Sequence, residues 1–122
     1  ADQLQWLADV LAESRVKGQR VIAFGHTPLL AQAGDHEGRY HAYNGEDVRK
    51  LLASGPTVAY ICGHYHEGGY HQDADGLHHV TLEGMVESKT DLCHGIVELT
   101  EQHMVVFGFG SLTSRTLILR QT

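Results

Sequence analysis

The chain has 122 residues, of which 42% are hydrophobic, so it can supply the core of one domain or of half of a larger one. Its 9 Lys and Arg against 15 Asp and Glu give a formal net charge of -6. This charge argues against nucleic acid as a partner. It does not argue against a phosphate-bearing substrate, since bound cations can reverse the local field. No apolar run approaches the roughly 20 residues that span a bilayer, so we expect no membrane partner.

The sequence opens with a helix pattern followed by a strand pattern. Apolar side chains share one helical face over residues 2–14, with Asp2 as the candidate N-cap and Gln5 completing a capping-box pair. Gly18 closes the helical region. The short apolar run 20–25 is typical of a strand that is buried on both faces.

A second helix and strand follow in the same order. Asn44 is a candidate cap for a helix that ends at 54–56, and residues 57–62 form another buried-type strand. We expect a loop over 63–76, which is rich in glycine and histidine. Four strand candidates then follow, at 79–82, 95–99, 104–109 and 116–120.

This order predicts an α/β chain, in which a βαβ-like unit precedes a β-rich tail of antiparallel strands. Two buried-type parallel strands with helices on their faces make a very small sheet. Such strands need more neighbours than this chain offers. We therefore expect residues 1–122 to form a single partial domain.

Three of the ten histidines directly follow the two buried-type strands. His26 follows the first strand, and His64 and His66 follow the second. The carboxyl ends of parallel strands lie at one edge of a sheet, where ligands gather in α/β folds. A glycine precedes His26 and another precedes His64, and each would let the backbone approach a bound ion closely. Imidazole suits manganese, iron and zinc alike, so the three histidines are candidate metal ligands.

The other histidines show no comparable placement, and we expect them to be solvated or to support the ligands from outside. They are His36, His41, His71, His78, His79, His94 and His103. Two other classes with an HxH pair do not fit. A nucleotide-transferring triad needs a third histidine where Gly68 stands, and a cupin needs a strand that the glycines at 68–69 would interrupt.

Several motifs together resemble the calcineurin-like metallophosphoesterases. The run GHYH at 63–66 is similar to the GHxH block of that superfamily, and GHTP at 25–28 is similar to the histidine block that precedes it. Further motifs resemble the manganese-dependent ADP-ribose/CDP-alcohol diphosphatase branch: DQLQWL at 2–7, YN at 43–44, EGGY at 67–70 and LEG at 82–84.

The resemblance implies the C-terminal half of a two-sheet αββα sandwich with two divalent metal ions, manganese being favoured and iron or zinc being alternatives. By analogy His26 and His64 hold one ion and His66 holds the other. The earlier blocks of the superfamily, an Asp-x-His pair, a bridging Asp and an Asn-His pair, do not occur in this sequence. We therefore expect an N-terminal half or a complementing chain to supply them.

The resemblance also implies a reaction, in which a metal-activated hydroxide cleaves the diphosphate bond of a nucleoside-diphosphate-type small molecule. Gly68, Gly69 and Tyr70 would contact the substrate, and Glu67 or Glu83 would orient the histidine ligands. Two alternatives stay open. In the first, the protein is another phosphodiesterase or phosphomonoesterase of the superfamily. In the second, the chain is non-catalytic and only completes or packs against a partner.

The two cysteines, Cys62 and Cys93, are too few and too far apart for a disulfide framework or a zinc ribbon. We expect two free thiols in a reducing compartment, which predicts a cytoplasmic location.

Overall fold

A computed structural model describes residues 2–35, 37–90 and 92–122. Within these ranges, two helices, a short 3-10 turn and seven strands follow one another: α1 Asp2–Val16, β1 Val21–Phe24, the turn Ala31–Ala33, α2 Gly45–Ser54, β2 Thr57–Cys62, β3 Gly69–Gln72, β4 His78–Thr81, β5 Cys93–Leu99, β6 His103–Gly110 and β7 Arg115–Ile118. None of the helices in these ranges is long and apolar enough to cross a bilayer.

The strands form two sheets. Sheet A has the order β1-β2-β4-β3, in which β1, β2 and β4 run parallel and β3 runs antiparallel to β4. Sheet B has the order β5-β6-β7 and is antiparallel throughout. The predicted α/β class and the βαβ-like unit are confirmed. The predicted antiparallel tail is found in sheet B, but the first of its four predicted strands, at 79–82, corresponds to β4 and runs parallel to β2 in sheet A.

Sheet A lies between a helical layer and sheet B. The core against the helices contains Leu11, Leu29, Leu52, Tyr60, Cys62 and Leu77. The core between the sheets contains Val58, Ala59, Ile61, Val80, Met104, Leu117 and Leu119. All six residues of β2 are buried, which explains its uninterrupted apolar sequence. Cys62 is one of them, and it and Cys93 are buried free thiols as predicted.

The prediction of a continuous loop over 63–76 is wrong, because β3 lies within it. Gly69 begins this strand instead of interrupting one, and it pairs with Thr81 of β4. A Cβ at Gly69 would collide with the carbonyl oxygen of Ala33, so a glycine is needed there for close packing. As an edge strand with alternating exposure, β3 lacks the apolar run that marks β2.

The helix starts also differ from expectation. The Gln5 amide donates to Asp9 at 2.9 Å instead of turning back to Asp2, so the predicted capping-box pair is not formed. Asn44 occupies the N-cap of α2 as predicted, but its side chain makes no capping hydrogen bond. The backbone carbonyl of Asn44 instead accepts from the amides of Asp47 and Val48, so α2 begins without side-chain help.

Arg120, which follows β7, ties the tail of the chain to the connection between α2 and β2. Its Nε donates to the carbonyl of Thr57 at 2.7 Å, and its Nη2 donates to the carbonyls of Ala53 at 3.1 Å and Gly55 at 3.0 Å. The carbonyls of Ala53 and Gly55 lie at the C-terminal end of α2, where the helix leaves acceptors unpaired and favours a positive charge, and Thr57 begins β2. The guanidinium therefore closes the end of α2 and anchors sheet B to it.

We predict that Arg120→Met lowers the free energy of unfolding by about 2–3 kcal/mol, because charge-assisted bonds to partly buried carbonyls are lost. The measurement is urea denaturation of the protein that contains this chain. Lys50→Met is the control, since the Lys50 side chain is 64% exposed and its ammonium lies 3.9 Å from Glu46, and we expect a change below about 0.5 kcal/mol. Equal losses in the two variants would contradict the anchoring role.

Candidate metal-binding histidine site

His26 and His64 meet at the carboxyl edge of sheet A. They follow β1 and β2, which pair in parallel, with Phe24 opposite Ile61 at the ends of the strands. The Nε2 atom of His26 lies 3.1 Å from the Nδ1 atom of His64, and the two rings pack edge to face with centroids 4.9 Å apart. Of the three histidines predicted to converge at this edge, His26 and His64 are in contact, and the metal role of all three, His66 included, stays a prediction.

His64 has an unusual backbone conformation. Its φ of 66° makes it the one non-glycine residue with positive φ in the described part of the chain. Left-handed backbone at such a residue costs roughly 1–3 kcal/mol and persists only where surrounding contacts impose it. The amide of Tyr65 donates to the carbonyl of Gly63 at 2.8 Å, which closes a tight turn around His64. The loop therefore reverses direction at the histidine itself.

The glycines before the histidines differ in what they do. A Cβ at Gly25 would collide with the hydroxyl of Tyr60, which donates to the carbonyl of Thr27 at 2.8 Å. Close approach therefore requires a glycine at that position. A Cβ at Gly63 would meet no heavy atom of the described residues within 4 Å, so the expected close approach of this glycine to a bound ion stays a prediction.

His66 lies on the same loop and contacts a carboxylate that the sequence did not indicate. Its Nδ1 atom lies 2.6 Å from an oxygen of Glu87. A carboxylate at Nδ1 favours a proton on that nitrogen and leaves the Nε2 lone pair for a ligand. Gly84 packs beneath the histidine, because its amide donates to the His66 carbonyl at 2.9 Å and a Cβ there would lie 2.6 Å from the ring.

An open groove of about 470 Å³ runs past His64 and His66. The other residues that line it are Glu37, Arg39, Tyr40, Tyr65, Glu67 and Glu87. The rings of Tyr40 and Tyr65 lie 5.7 Å apart, and the guanidinium of Arg39 lies 5.9 Å from the centroid of Tyr40. The groove thus combines imidazoles, aromatic surface, one cation and three carboxylates.

Glu67 and Glu83, the predicted orienting carboxylates, have other contacts. Glu67 accepts a hydrogen bond from the hydroxyl of Tyr65 at 3.0 Å. Glu83 accepts from the amide and the hydroxyl of Thr113. Their role toward the histidines stays a prediction, and the carboxylate that contacts a candidate ligand is Glu87.

The predicted substrate-contacting residues Gly68, Gly69 and Tyr70 lie beside the groove without lining it. Gly68 has a φ of 70°, and it packs with Gly69 against the 3-10 turn. The hydroxyl of Tyr70 lies 2.9 Å from Nδ1 of His78, and its ring lies 5.4 Å from the guanidinium of Arg115. Contact of these three residues with a substrate stays a prediction.

The remaining histidines divide by burial. His36 lies outside the described residues. His78 and His79 are only 2% and 1% exposed, so the prediction that they are solvated is wrong. Both lie on β4, which is an inner strand of sheet A. His79 lies 3.1 Å from the carboxylate of Asp73. Burial lowers the pKa of His79 although Asp73 acts to raise it, so neutral imidazole is favoured in the fold.

Asp35 is a buried carboxylate in the segment that carries Tyr40. Its Oδ2 atom accepts from the backbone amides of Tyr40 and His41, the latter at 2.9 Å, and lies 2.9 Å from Nδ1 of His41. Burial acts to raise the pKa of Asp35, but the hydrogen bonds from His41, Tyr40 and Arg39 outweigh it and lower the pKa to about 2. Asp35 is therefore ionised at neutral pH.

The geometry fits a metal ion in part. Two nitrogen atoms bound to one ion at about 2.1 Å lie roughly 3.0–3.4 Å apart. The 3.1 Å between His26 and His64 falls in that range. Within residues 2–35, 37–90 and 92–122, however, no three or more His, Cys, Asp or Glu side chains are grouped so as to hold a metal ion. The histidines fit as members of a ligand set that needs further donors.

Comparison with known proteins gives relatives over nearly the whole chain. No protein-family model matches it. It is 34% identical over 120 residues to the manganese-dependent ADP-ribose/CDP-alcohol diphosphatase of Xenopus laevis. The aligned region covers 97% of this chain and 33% of the Xenopus protein. The Danio rerio protein of the same name is 38% identical over 117 residues. That aligned region covers 94% of this chain and 36% of the Danio rerio protein.

Solved structures agree with these relatives. The crystal structure of a dimetal phosphatase from Danio rerio matches with a TM-score of 0.88 and 36% identity over 98% of this chain and 38% of the other. GAP50, the anchor in the inner membrane complex of Plasmodium, matches with a TM-score of 0.70 and 16% identity over 98% of this chain, and shares the fold alone.

The sequence and the fold thus relate this chain to the dimetal phosphatases of the metallophosphoesterase superfamily, and it corresponds to the C-terminal half of their two-sheet fold. Among them, the relatives are manganese-dependent ADP-ribose/CDP-alcohol diphosphatases, so the predicted resemblance is confirmed. The chain spans about a third of the length of the curated relatives it matches.

We predict that Gly84→Ala destabilises the protein by about 1–3 kcal/mol, because the new methyl group must displace the ring of His66. Gly63→Ala is the matched control in the same site, and we expect a change below about 0.5 kcal/mol because the methyl group enters open space. Urea denaturation measures both changes, and NMR of the His66 ring reports its displacement. An undisturbed His66 ring in Gly84→Ala would contradict the packing described.

Proposed function

We propose that the protein containing this chain hydrolyses the diphosphate bond of nucleoside-diphosphate-type small molecules, of the ADP-ribose or CDP-alcohol kind. The observation that carries the proposal is the 3.1 Å approach of the His26 and His64 ring nitrogens at the strand ends that also carry His66. The names of the relatives support the substrate class. Two divalent ions, manganese or alternatively iron or zinc, are the proposed cofactors.

In this proposal His26 and His64 hold one ion and His66 holds the other. When bound, such ions supply an activated hydroxide and positive charge for the phosphoryl oxygens. The chain contributes neutral imidazoles, which leave the charge of the ions undiminished. Glu87 keeps a proton on Nδ1 of His66 and so keeps its Nε2 available as a donor.

The charge of the groove agrees with a metal-dependent site. Glu37, Glu67 and Glu87 line it together with a single cation, Arg39. Such a surface repels a diphosphate unless bound cations reverse its field. Tyr40 offers an aromatic face on the same groove, which suits a nucleobase.

Gly68, Gly69 and Tyr70 remain proposed contacts to the substrate on the adjoining side. Glu67 and Glu83 remain proposed supports of the ligands, in addition to Glu87.

The missing ligands are proposed to come from polypeptide outside this sequence, either the N-terminal half of the same domain or a complementing chain. Sheet B presents an apolar outer surface: Ile96 is 60% exposed and pairs across the strands with the half-exposed Phe107. At the free edge of sheet A, Phe24 is 75% exposed. Exposed apolar faces and unpaired edges of this kind are normally covered in a complete fold.

Residues 1–122 are then part of a single domain, which we place in the cytoplasm.

A non-catalytic role is the second candidate for residues 1–122 on their own. The observation in its favour is the incomplete ligand set within the described residues. Another phosphodiesterase or phosphomonoesterase activity of the superfamily would use the same histidines, and a panel of diphosphate, diester and monoester substrates separates it from the proposed one.

We predict that His64→Ala in the full-length protein lowers manganese-dependent hydrolysis of ADP-ribose and CDP-choline by more than about 100-fold, because even residues that only support a ligand cost about 10–100-fold. His103→Ala is the control, since His103 begins β6 and does not line the groove. Equal rates for His64→Ala and the wild type, with manganese in excess, would remove the metal assignment.

We also predict that residues 1–122 alone are inactive on both substrates with Mn²⁺ and gain activity when the N-terminal half is added. The assay compares cleavage before and after that addition. Robust turnover by the chain alone, lost in His66→Ala, would show that it builds a complete site by itself. Asp73, Asp75 and Glu83 would then need re-examination, although Arg49 already pairs with both aspartates.

A further inference from the structure

Asp35 supports the exposed turn that follows it in the chain. Residues 37–40 are all exposed, so apolar burial does not anchor them. The bonds from the amides of Tyr40 and His41 and the contact with the His41 ring all converge on Oδ2 of Asp35, which is fully buried. A carboxylate that accepts several N–H groups is a strong local anchor, because charge-assisted bonds are roughly twice as strong as neutral ones.

The turn presents Tyr40 to the histidine site. The ring of Tyr40 lies 6.1 Å from the ring of His64 and 5.7 Å from that of Tyr65. Among the described residues, His26 is the second ring neighbour of His64. Because His64 has a strained backbone and an exposed ring, its direction depends on these ring contacts.

We propose that Asp35 is a positioning residue for the site. By holding the turn over residues 37–41, it keeps Tyr40 against His64 and so keeps Nδ1 of His64 directed toward His26. The effect on the structure stands on these contacts alone, whereas its consequence for hydrolysis rests on the function proposed above. Asp35 acts through Tyr40 and does not itself line the groove.

The test uses the full-length protein and four variants. Asp35→Ala removes the acceptor, Asp35→Asn restores one oxygen without the charge, Tyr40→Ala removes the ring, and Tyr40→Phe keeps the ring without its hydroxyl. Asp75→Asn is the matched control, because Asp75 is an exposed acid whose partner Arg49 keeps Asp73 and Glu46. Tyr40→Ala alters an exposed residue and so decides the question even if Asp35→Ala fails to fold.

The first readout is the ¹⁵N NMR signal of the His64 ring in metal-free protein, because it reports the contact of Nδ1 with His26 and is little affected by the loss of the Tyr40 ring current. We expect it to shift in Asp35→Ala and Tyr40→Ala, to return toward the wild-type position in Asp35→Asn, and to stay unchanged in Tyr40→Phe and Asp75→Asn. The second readout is Mn²⁺ affinity together with kcat and KM. We expect Mn²⁺ affinity and kcat to fall about 10–100-fold in Asp35→Ala and Tyr40→Ala. KM rises as well in both, because each displaces or removes the aromatic face proposed for the nucleobase.

The outcomes are distinguishable. An unchanged His64 signal in Tyr40→Ala overturns the inference, whatever the activity. A shifted signal with unchanged Mn²⁺ affinity and kcat also overturns it, because the ring then needs no positioning. If the wild type cleaves neither substrate, the proposed function fails, while the His64 signal and the Mn²⁺ affinity still decide the role of Asp35.

Discussion

The parallel pairing of β1 with β2 is the constraint on which the site depends. Parallel strands end at the same edge of a sheet, so this pairing brings residues far apart in sequence to within hydrogen-bonding distance of each other, as with His26 and His64. The pairing is stable because β2 is buried along its whole length, between the helices on one face and sheet B on the other. The chemistry at the edge therefore rests on a core that has no chemical role.

Around that edge, close packing decides where the histidines point. Gly25 lets the chain pass the hydroxyl of Tyr60, and Gly84 lets it pass beneath the ring of His66. The left-handed turn at His64 separates the two histidines of the pair, so that one meets His26 and the other meets Glu87. This divergence suits the proposed assignment of the two histidines to different ions.

Some of this arrangement can be predicted from the sequence, because the signals are local. The run 57–62 is apolar throughout, so β2 was predicted with the bounds it has. The positions of His26 and His64 followed from the ends of the two predicted strands. Glu87 and Asp35 could not be found in this way, since each acts on a residue that is brought close only by the fold. The strand β3 was missed for the same reason, because pairing with β4 and contact with Ala33 define it.

For the function proposed above, the acidic lining of the groove has a kinetic consequence. Glu37, Glu67 and Glu87 favour the binding of cations in the groove and disfavour that of a diphosphate before the cations have bound. Loading would then be ordered, with the ions binding first and the anion following into a field that they have reversed. The product anions would leave against the same attraction, so their release becomes a candidate for the slow step of the cycle. An acidic surface, which on its own disfavours a phosphate compound, would thereby restrict substrate binding to sites that already hold their ions.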